Sequence, residues 1–205
     1  MEIAKYQNGI KAILLGESGV GKTNLINVSI GLDFDESIGS TYFNSFVEKM
    51  FKINNEKYIM HLWDTIGQEK FRPLTKLFYK DSKIVIFVYD KANKKSYEAL
   101  NYWNDEIDTV LGDDVKFIKA VVGNKEDLDE EEVDENEARE FAKSIKAKFT
   151  MASAKKNGKR FINFLEELLG DYISKNKDKL NKGKDKLILD KDSQRKNVKD
   201  KNCCK

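Results

Sequence analysis

The sequence predicts a three-layer α/β sandwich on a six-stranded, mostly parallel sheet with one antiparallel strand. Three observations carry that expectation. Short apolar runs recur with little alternation, as strands buried on both faces require. Stretches of helical periodicity fall between them, as crossover connections would. The first apolar run leads through a glycine-rich turn straight into a helix-like segment.

Taken in order, Ile10-Lys11-Ala12-Ile13-Leu14-Leu15 reads as a buried strand and Thr23 to Val28 as the start of a helix. Gly31 to Thr41 is polar and aperiodic, a loop. Phe46 to Ile53 and Tyr58 to Trp63 read as a hairpin with Asn54-Asn55 at its tip, and this hairpin supplies the antiparallel strand. Ile84 to Tyr89 is almost wholly apolar, and Phe117 to Val122 is broken only by Lys119. Helices are expected over Lys95 to Leu111, Val133 to Lys146 and Arg160 to Ser174. A short last strand, Lys148 to Met151, precedes the final helix.

A chain of 205 residues holds one well-buried core, so one domain over 1–175 with an appendage over 176–205 is expected. The chain has one proline and no run of eighteen apolar residues, which argues against a membrane span. Met1-Glu2-Ile3-Ala4-Lys5 reads as neither signal peptide nor anchor, and the two cysteines, Cys203 and Cys204, leave the body without a disulfide framework. A reducing compartment follows. The net charge of +2 divides unevenly: from Ser174 onward twelve Lys or Arg face five Asp, leaving the body at −5. The acidic body predicts no nucleic-acid partner. The lysine-rich tail has the composition of a solvated, disordered segment, its Leu187-Ile188-Leu189 triplet being either a transient docking patch or an incidental apolar run.

The chemistry begins at Gly16-Glu17-Ser18-Gly19-Val20-Gly21-Lys22-Thr23. Glycines let consecutive N–H groups point inward and make a concavity for phosphate oxygens. Lys22 can reach the outer phosphates, the following helix adds its N-terminal field, and Thr23 offers a hydroxyl to a magnesium ion. The plain alternative is a glycine-rich turn with a solvated lysine. Asp64 leaves the second hairpin strand at the sheet's carboxyl edge, where it can hold magnesium through water or simply cap a turn, and Gly67 lets a backbone N–H approach a terminal phosphate. After the strand ending at Val122 comes Asn124-Lys125-Glu126-Asp127. Asp127 offers two acceptors to a ring N–H and an exocyclic amine, the pattern guanine presents and adenine does not; Lys125 can lay its stem along the base. Ser153-Ala154-Lys155 follows the last strand and can place a backbone N–H at a guanine oxygen. His61 has no cysteine or acidic cluster beside it in sequence, so a metal site is not expected there.

Gly16 to Thr23, Asp64 to Gln68, Asn124 to Asp127 and Ser153 to Lys155, in this order and spacing, resemble the small Ras-like GTPases. Trp63 to Arg72 and the nearly terminal Cys203-Cys204 are most similar to the Rab branch. The resemblance covers roughly residues 8–175 and the last three, and implies the P-loop NTPase version of the predicted sandwich. It implies GTP and GDP as ligands, Mg2+ as cofactor, and phosphate contacts from Ser18, Gly19, Val20, Gly21, Lys22, Thr23, Thr41 and Gly67. Thr23, Thr41 and, through water, Asp64 would serve the metal. Phe34, Asn124, Lys125, Asp127, Ser153, Ala154 and Lys155 would meet base and ribose. Gln68 would orient the attacking water and Lys22 would stabilise developing charge, with slow hydrolysis awaiting an activating protein.

Family spacing counted from Thr23 or from Gly67 lands on Thr41 for the effector-loop threonine, although Ser37-Ile38-Gly39 imitates the usual local text four residues earlier. The resemblance also implies an effector surface at Phe46, Trp63 and Phe78, with Phe78 replacing the usual tyrosine. Cys203 and Cys204 would be prenylated, and with the lysines would anchor the chain to the cytoplasmic face of an intracellular membrane, cycling with cytosol. Expected partners are an exchange factor, a GTPase-activating protein, effectors, prenylation machinery and a prenyl-binding chaperone. Ile66 stands where the family nearly always has alanine. Its added carbons and branched Cβ keep open a second reading, a guanine-nucleotide-binding scaffold that hardly switches. A phosphotransferase for another nucleotide is opposed by Asp127.

Overall fold

The computed structural model describes residues 9–39, 41, 45–65, 78–112, 117–156 and 158–177. In chain order these form β1 (Ile10–Leu15), α1 (Lys22–Ser29), β2 (Ser45–Ile53), β3 (Glu56–Asp64), β4 (Ile84–Asp90), α2 (Lys94–Glu98), α3 (Leu100–Leu111), β5 (Ile118–Asn124), α4 (Glu135–Ser144) and β6 (Lys148–Met151). The chain divides into two units between Leu169 and Gly170. Helix α5 occupies 158–169 in the first, and residues 170–177 of the second are helical as well.

The strands form one sheet in the order β2-β3-β1-β4-β5-β6. Only β2 and β3 pair antiparallel; the other neighbours run parallel. This is the predicted mixed six-stranded α/β sheet. The strand order turns back between β1 and β4, so the loops leaving β1, β3, β5 and β6 gather along one edge, where such sheets bind ligands. Strand β4 lies near the centre and all seven of its residues are buried, which is why its sequence lacks alternation. Against it pack Trp103, Leu100 and Ile107 of α3, each with no exposed surface. Lys119, the charge that interrupts the β5 apolar run, reaches out of the sheet to α3. Its Nζ donates to Asn104 Oδ1 and Asp108 Oδ2, both at 2.7 Å.

The hairpin closes on the two predicted tip residues. Asn54 and Asn55 have φ of 51° and 64°, and Ile53 faces Glu56 across them. Two consecutive left-handed residues match the primed turn that suits strand twist. Such a tip makes Ile53 and Glu56 a hydrogen-bonded pair, so Phe46/Trp63, Glu48/His61 and Met50/Ile59 are pairs of the closer, non-hydrogen-bonded kind. At two of these pairs the side chains meet: the Phe46 and Trp63 rings stack at 4.9 Å, and His61 Nε2 lies 3.2 Å from Glu48 Oε1.

Helix boundaries differ from expectation at several points: the fourth helix ends at Ser144 rather than Lys146, and the last begins at 158 rather than Arg160. The single helix over Lys95 to Leu111 is interrupted at Ala99, which keeps helical torsions (φ −64°, ψ −16°) and still links both parts through Ala99 N to the Lys95 carbonyl and Trp103 N to the Ala99 carbonyl. The fourth helix starts at Glu135 rather than Val133. Asp134 Oδ1 accepts from the N–H groups of Asn136 and Glu137 at 2.9 and 3.0 Å, and this cap sets the start. Val133 sits just before the cap and joins Ala138 in the core, the arrangement of a hydrophobic staple.

Asn55→Val should destabilise the fold by about 1–2 kcal/mol, because a β-branched residue disfavours the left-handed conformation. A urea titration would show a lower midpoint with unchanged slope.

Candidate functional site

The loop between β1 and α1 has three glycines with positive φ, and two of them are also sterically required. A Cβ on Gly16 would overlap the Val88 carbonyl oxygen, and one on Gly21 would overlap Asn124 Nδ2. The loop therefore wraps tightly against β4 and the start of the β5 loop. Lys22 is 6% exposed and curls over the loop, its Nζ donating to the carbonyls of Gly16 at 2.8 Å and Glu17 at 2.9 Å. Burial lowers its pKa to about 8, while Asp64 and Glu17 hold it up, so the ammonium stays charged near neutrality. From α3, Trp103 Nε1 donates to Glu17 Oε1 at 3.2 Å and fixes the outer side of the loop.

Beside Lys22, three oxygen-bearing side chains from three segments converge. Thr23 Oγ1 donates to Asp64 Oδ2 at 2.6 Å and lies 2.9 Å from Thr41 Oγ1, which is 3.5 Å from the same Asp64 oxygen. Burial raises the Asp64 pKa, opposed by Thr23, Lys22, Thr41 and the Thr65 N–H. Asp64 Oδ1 is buried with no hydrogen-bond partner of normal geometry among the described residues. Two hydroxyls and a carboxylate, one of whose oxygens is buried and unsatisfied, are hard donors of the kind magnesium takes. Ser37 is engaged elsewhere: its N–H and Oγ both bond Asp35 Oδ1, at 2.8 and 2.6 Å. Of the two effector-loop candidates, Thr41 is the one beside Thr23.

The opposite end of the site is built by the loops after β5 and β6. Asn124, 1% exposed, donates from Nδ2 to the Val20 carbonyl at 2.8 Å and accepts on Oδ1 from the Ala154 N–H at 3.3 Å. Lys125 adopts φ 63°, unusual for a residue with a side chain, and pairs with Asp90 at 2.6 Å. The Ser153 hydroxyl donates to Asp127 Oδ1 and accepts from the Lys156 N–H at 2.9 Å. Across the gap Lys155 Nζ lies 5.7 Å from the Phe34 ring centre and 3.4 Å from Glu36 Oε1.

Between the two ends lies a cavity of about 320 Å³. Ser18, Gly19, Gly21, Lys22, Thr23, Phe34, Thr41, Asn124, Lys125, Asp127, Ala154 and Lys155 line it, all of them candidates from the sequence. Val20, Asp64 and Ser153 do not line it: Val20 is turned into the core, Asp64 is buried behind the Thr23 and Thr41 hydroxyls, and Ser153 sits behind Asp127. Gly67, Gln68, Ile66, Cys203 and Cys204 lie outside the described residues. Five lining residues were not foreseen: Asn24, Glu36, Ile38, Gly39 and Leu128. Asn24 carried a usable signal, being a polar residue in the first turn of α1. Its amide donates to the Asp35 carbonyl at 2.9 Å and accepts from the Asp35 N–H at 3.1 Å, pinning the loop that carries Phe34. Phe46, Trp63 and Phe78 form a separate aromatic row, with Trp63 5.7 Å from Phe78. Among the described residues no cluster of His, Cys, Asp and Glu suits a metal, and no helix is long and apolar enough to cross a membrane.

Residues 11–171 match the family model described as the Ras family. The chain belongs to the Ras family. It is 38% identical over 148 residues to Ras-related protein Rab-21 of Geodia cydonium, covering 72% of this chain and 64% of that protein, somewhat under two thirds of it. It is 38% identical to Ras-related protein Rab-18 of Caenorhabditis elegans over 71% of each chain, and 36% identical to Rab-18 of Lymnaea stagnalis over 77% of each. This Ras-family chain thus matches Rab proteins over most of its length.

Because the folded pKa of Lys22 falls from 10.5 to about 8, the unfolded chain holds that proton more tightly. The cost to folding is full below about pH 8 and fades as pH rises through 10.5. In protein stripped of nucleotide by chelator, Lys22→Met should therefore withstand more urea than the parent chain at pH 7. The gap should shrink by up to about 3 kcal/mol as that window is crossed.

Proposed function

We propose that this chain is a GTP-binding and GTP-hydrolysing switch in vesicle traffic. The observation that carries the reading is one cavity with a phosphate-type loop, Thr23 and Thr41 at one end, backed by Asp64, and Asp127 at the other. Ser18 to Thr23 would hold the phosphates with backbone N–H groups, and Lys22 would leave its carbonyl partners for the outer phosphates. Thr23, Thr41 and Asp64 would hold Mg2+, whose charge would neutralise the phosphate oxygens. Asp127 would accept from the guanine ring N–H and amine, with Ala154 N–H and Lys125 completing the base site and Phe34 packing on it. By resemblance, Gln68 would orient the attacking water and Gly67 would sense the terminal phosphate, ordering the two loops in the GTP form.

Phe46, Trp63 and Phe78 would be the surface an effector reads. We further take residues 1–175 as the GTPase domain and 176–205 as a tail that is prenylated at Cys203 and Cys204. That tail would set the chain on the cytoplasmic face of an intracellular membrane, with an exchange factor, an activating protein and a prenyl-binding chaperone as partners. The alternative, a guanine-nucleotide-binding scaffold, draws on Ile66 beside Gly67.

Asp127→Asn exchanges one of two acceptors for a donor, so guanine nucleotide affinity should fall by about 10²–10⁴-fold while xanthine nucleotide gains. Fluorescent-nucleotide competition reads both. Single-turnover assays should show GTP cleavage by the unaltered chain and faster cleavage after Ile66→Ala. Absence of cleavage in both, with equal partner capture in GTP and GDP forms, would favour the scaffold.

A further inference from the structure

Among the described residues strand β2 ends the sheet on one side, and its register with β3 runs without a bulge from Ser45↔Asp64 to Ile53↔Glu56. The tip fixes which of its backbone groups are spoken for. With Ile53 and Glu56 bonded to each other, Val47, Lys49 and Phe51 turn N–H and C=O toward β3, and Phe46, Glu48, Met50 and Lys52 turn theirs outward. The side chains of these same four residues are exposed, Phe46 by 47% and Met50 by 50%. The other face of the strand is occupied: Phe51 is 6% exposed, and Lys49 Nζ donates to the Ser29 carbonyl. A long, unbulged edge with outward backbone groups is a template for another strand.

We propose that this edge pairs antiparallel with the same edge of a second copy of the chain, about a two-fold axis at Met50. Charge selects both the occupant and the register. Reciprocal hydrogen bonds need outward-facing residues opposite one another, so the two-fold centre falls either on one of them or on the inward-facing residue between two. Centring on Val47, Lys49 or Phe51 sets Glu48 opposite Phe46, Met50 or Asn54, with no opposite-charge pair. Centring on Glu48 sets two carboxylates opposite each other, and centring on Lys52 sets two ammonium groups opposite. Centring on Met50 places Glu48 opposite the partner's Lys52, twice by symmetry, with Met50 against its own equivalent. Opposite charges directly across an antiparallel pair are favourable and like charges are not. Phe46 then falls opposite the partner's Asn54, outside the three central pairs. The association extends the sheet, uses no residue of the nucleotide cavity, and does not depend on the switch reading.

The test is sedimentation of the full-length, unlipidated chain under reducing conditions, up to about 1 mM, where weak association still registers. Self-association is expected, weakened about tenfold or more by Glu48→Lys and by Lys52→Glu separately. The double exchange Glu48→Lys/Lys52→Glu should return it to within about threefold of the parent, a recovery that only a cross-copy pair produces. Glu48 also lies 3.2 Å from His61, but Glu48→Lys and the double exchange both lose that contact, so their difference reports on position 52 alone. A chain that stays monomeric throughout, or a double exchange as weak as the singles, would overturn the proposal.

Discussion

The carboxamide of Asn124 holds the site together. It donates to the Val20 carbonyl in the loop after β1 and accepts from the Ala154 N–H in the loop after β6, with almost no solvent contact. Three loops far apart in sequence are thereby fixed at one sheet edge. The same group explains why residue 21 is glycine, since a Cβ there would occupy the space Asn124 Nδ2 needs. A buried amide satisfied at both ends is worth keeping, whereas one deprived of a partner is costly. The brace therefore fixes the spacing between the phosphate end and the base end of the cavity.

Around this brace the remaining contacts divide by rigidity. The sheet side is buried and over-determined: Trp103 from α3 holds Glu17, and the closely packed β4 backs the Gly16 turn. Among the described residues, the loop side is tied by Asn24 to the Asp35 backbone, Lys155 to Glu36, and the Thr23–Thr41–Asp64 cluster. Segments with few buried contacts open at low free energy, as the proposed response to a terminal phosphate would require. Thr41 is the connection between the two sides, since its hydroxyl meets groups belonging to α1 and to the end of β3.

Much of the fold was legible in the sequence because burial on both faces leaves a plain mark. The β4 run and the Asn54-Asn55 tip could be read directly, the first from unbroken apolarity and the second from residues that tolerate a left-handed backbone. Helix ends were harder. Nothing in the Lys95 to Leu111 text breaks a helix, and the interruption at Ala99 has no local sequence signal. At Asp134 the signal existed, a capping side chain just after an apolar residue, and apolar periodicity alone placed the start two residues early. In the site, motif residues that are fixed by strand ends were placed by sequence. Glu36, Ile38, Gly39 and Leu128 reach the cavity only through loop paths that periodicity does not encode. The choice between Thr41 and Ser37 lay between these cases: spacing favoured Thr41, local text favoured Ser37, and the Asp35 turn occupies the serine.

The reading as a guanine-nucleotide site braced by Asn124 meets its most direct test in native mass spectrometry of the purified full-length chain, with Asn124→Ala alongside. The chain should carry one guanine nucleotide and one magnesium ion per copy, and the variant should lose both while keeping its folded charge-state distribution. A chain carrying adenine nucleotide, or none under conditions that preserve the fold, would contradict it, as would a variant that retains guanine nucleotide in full.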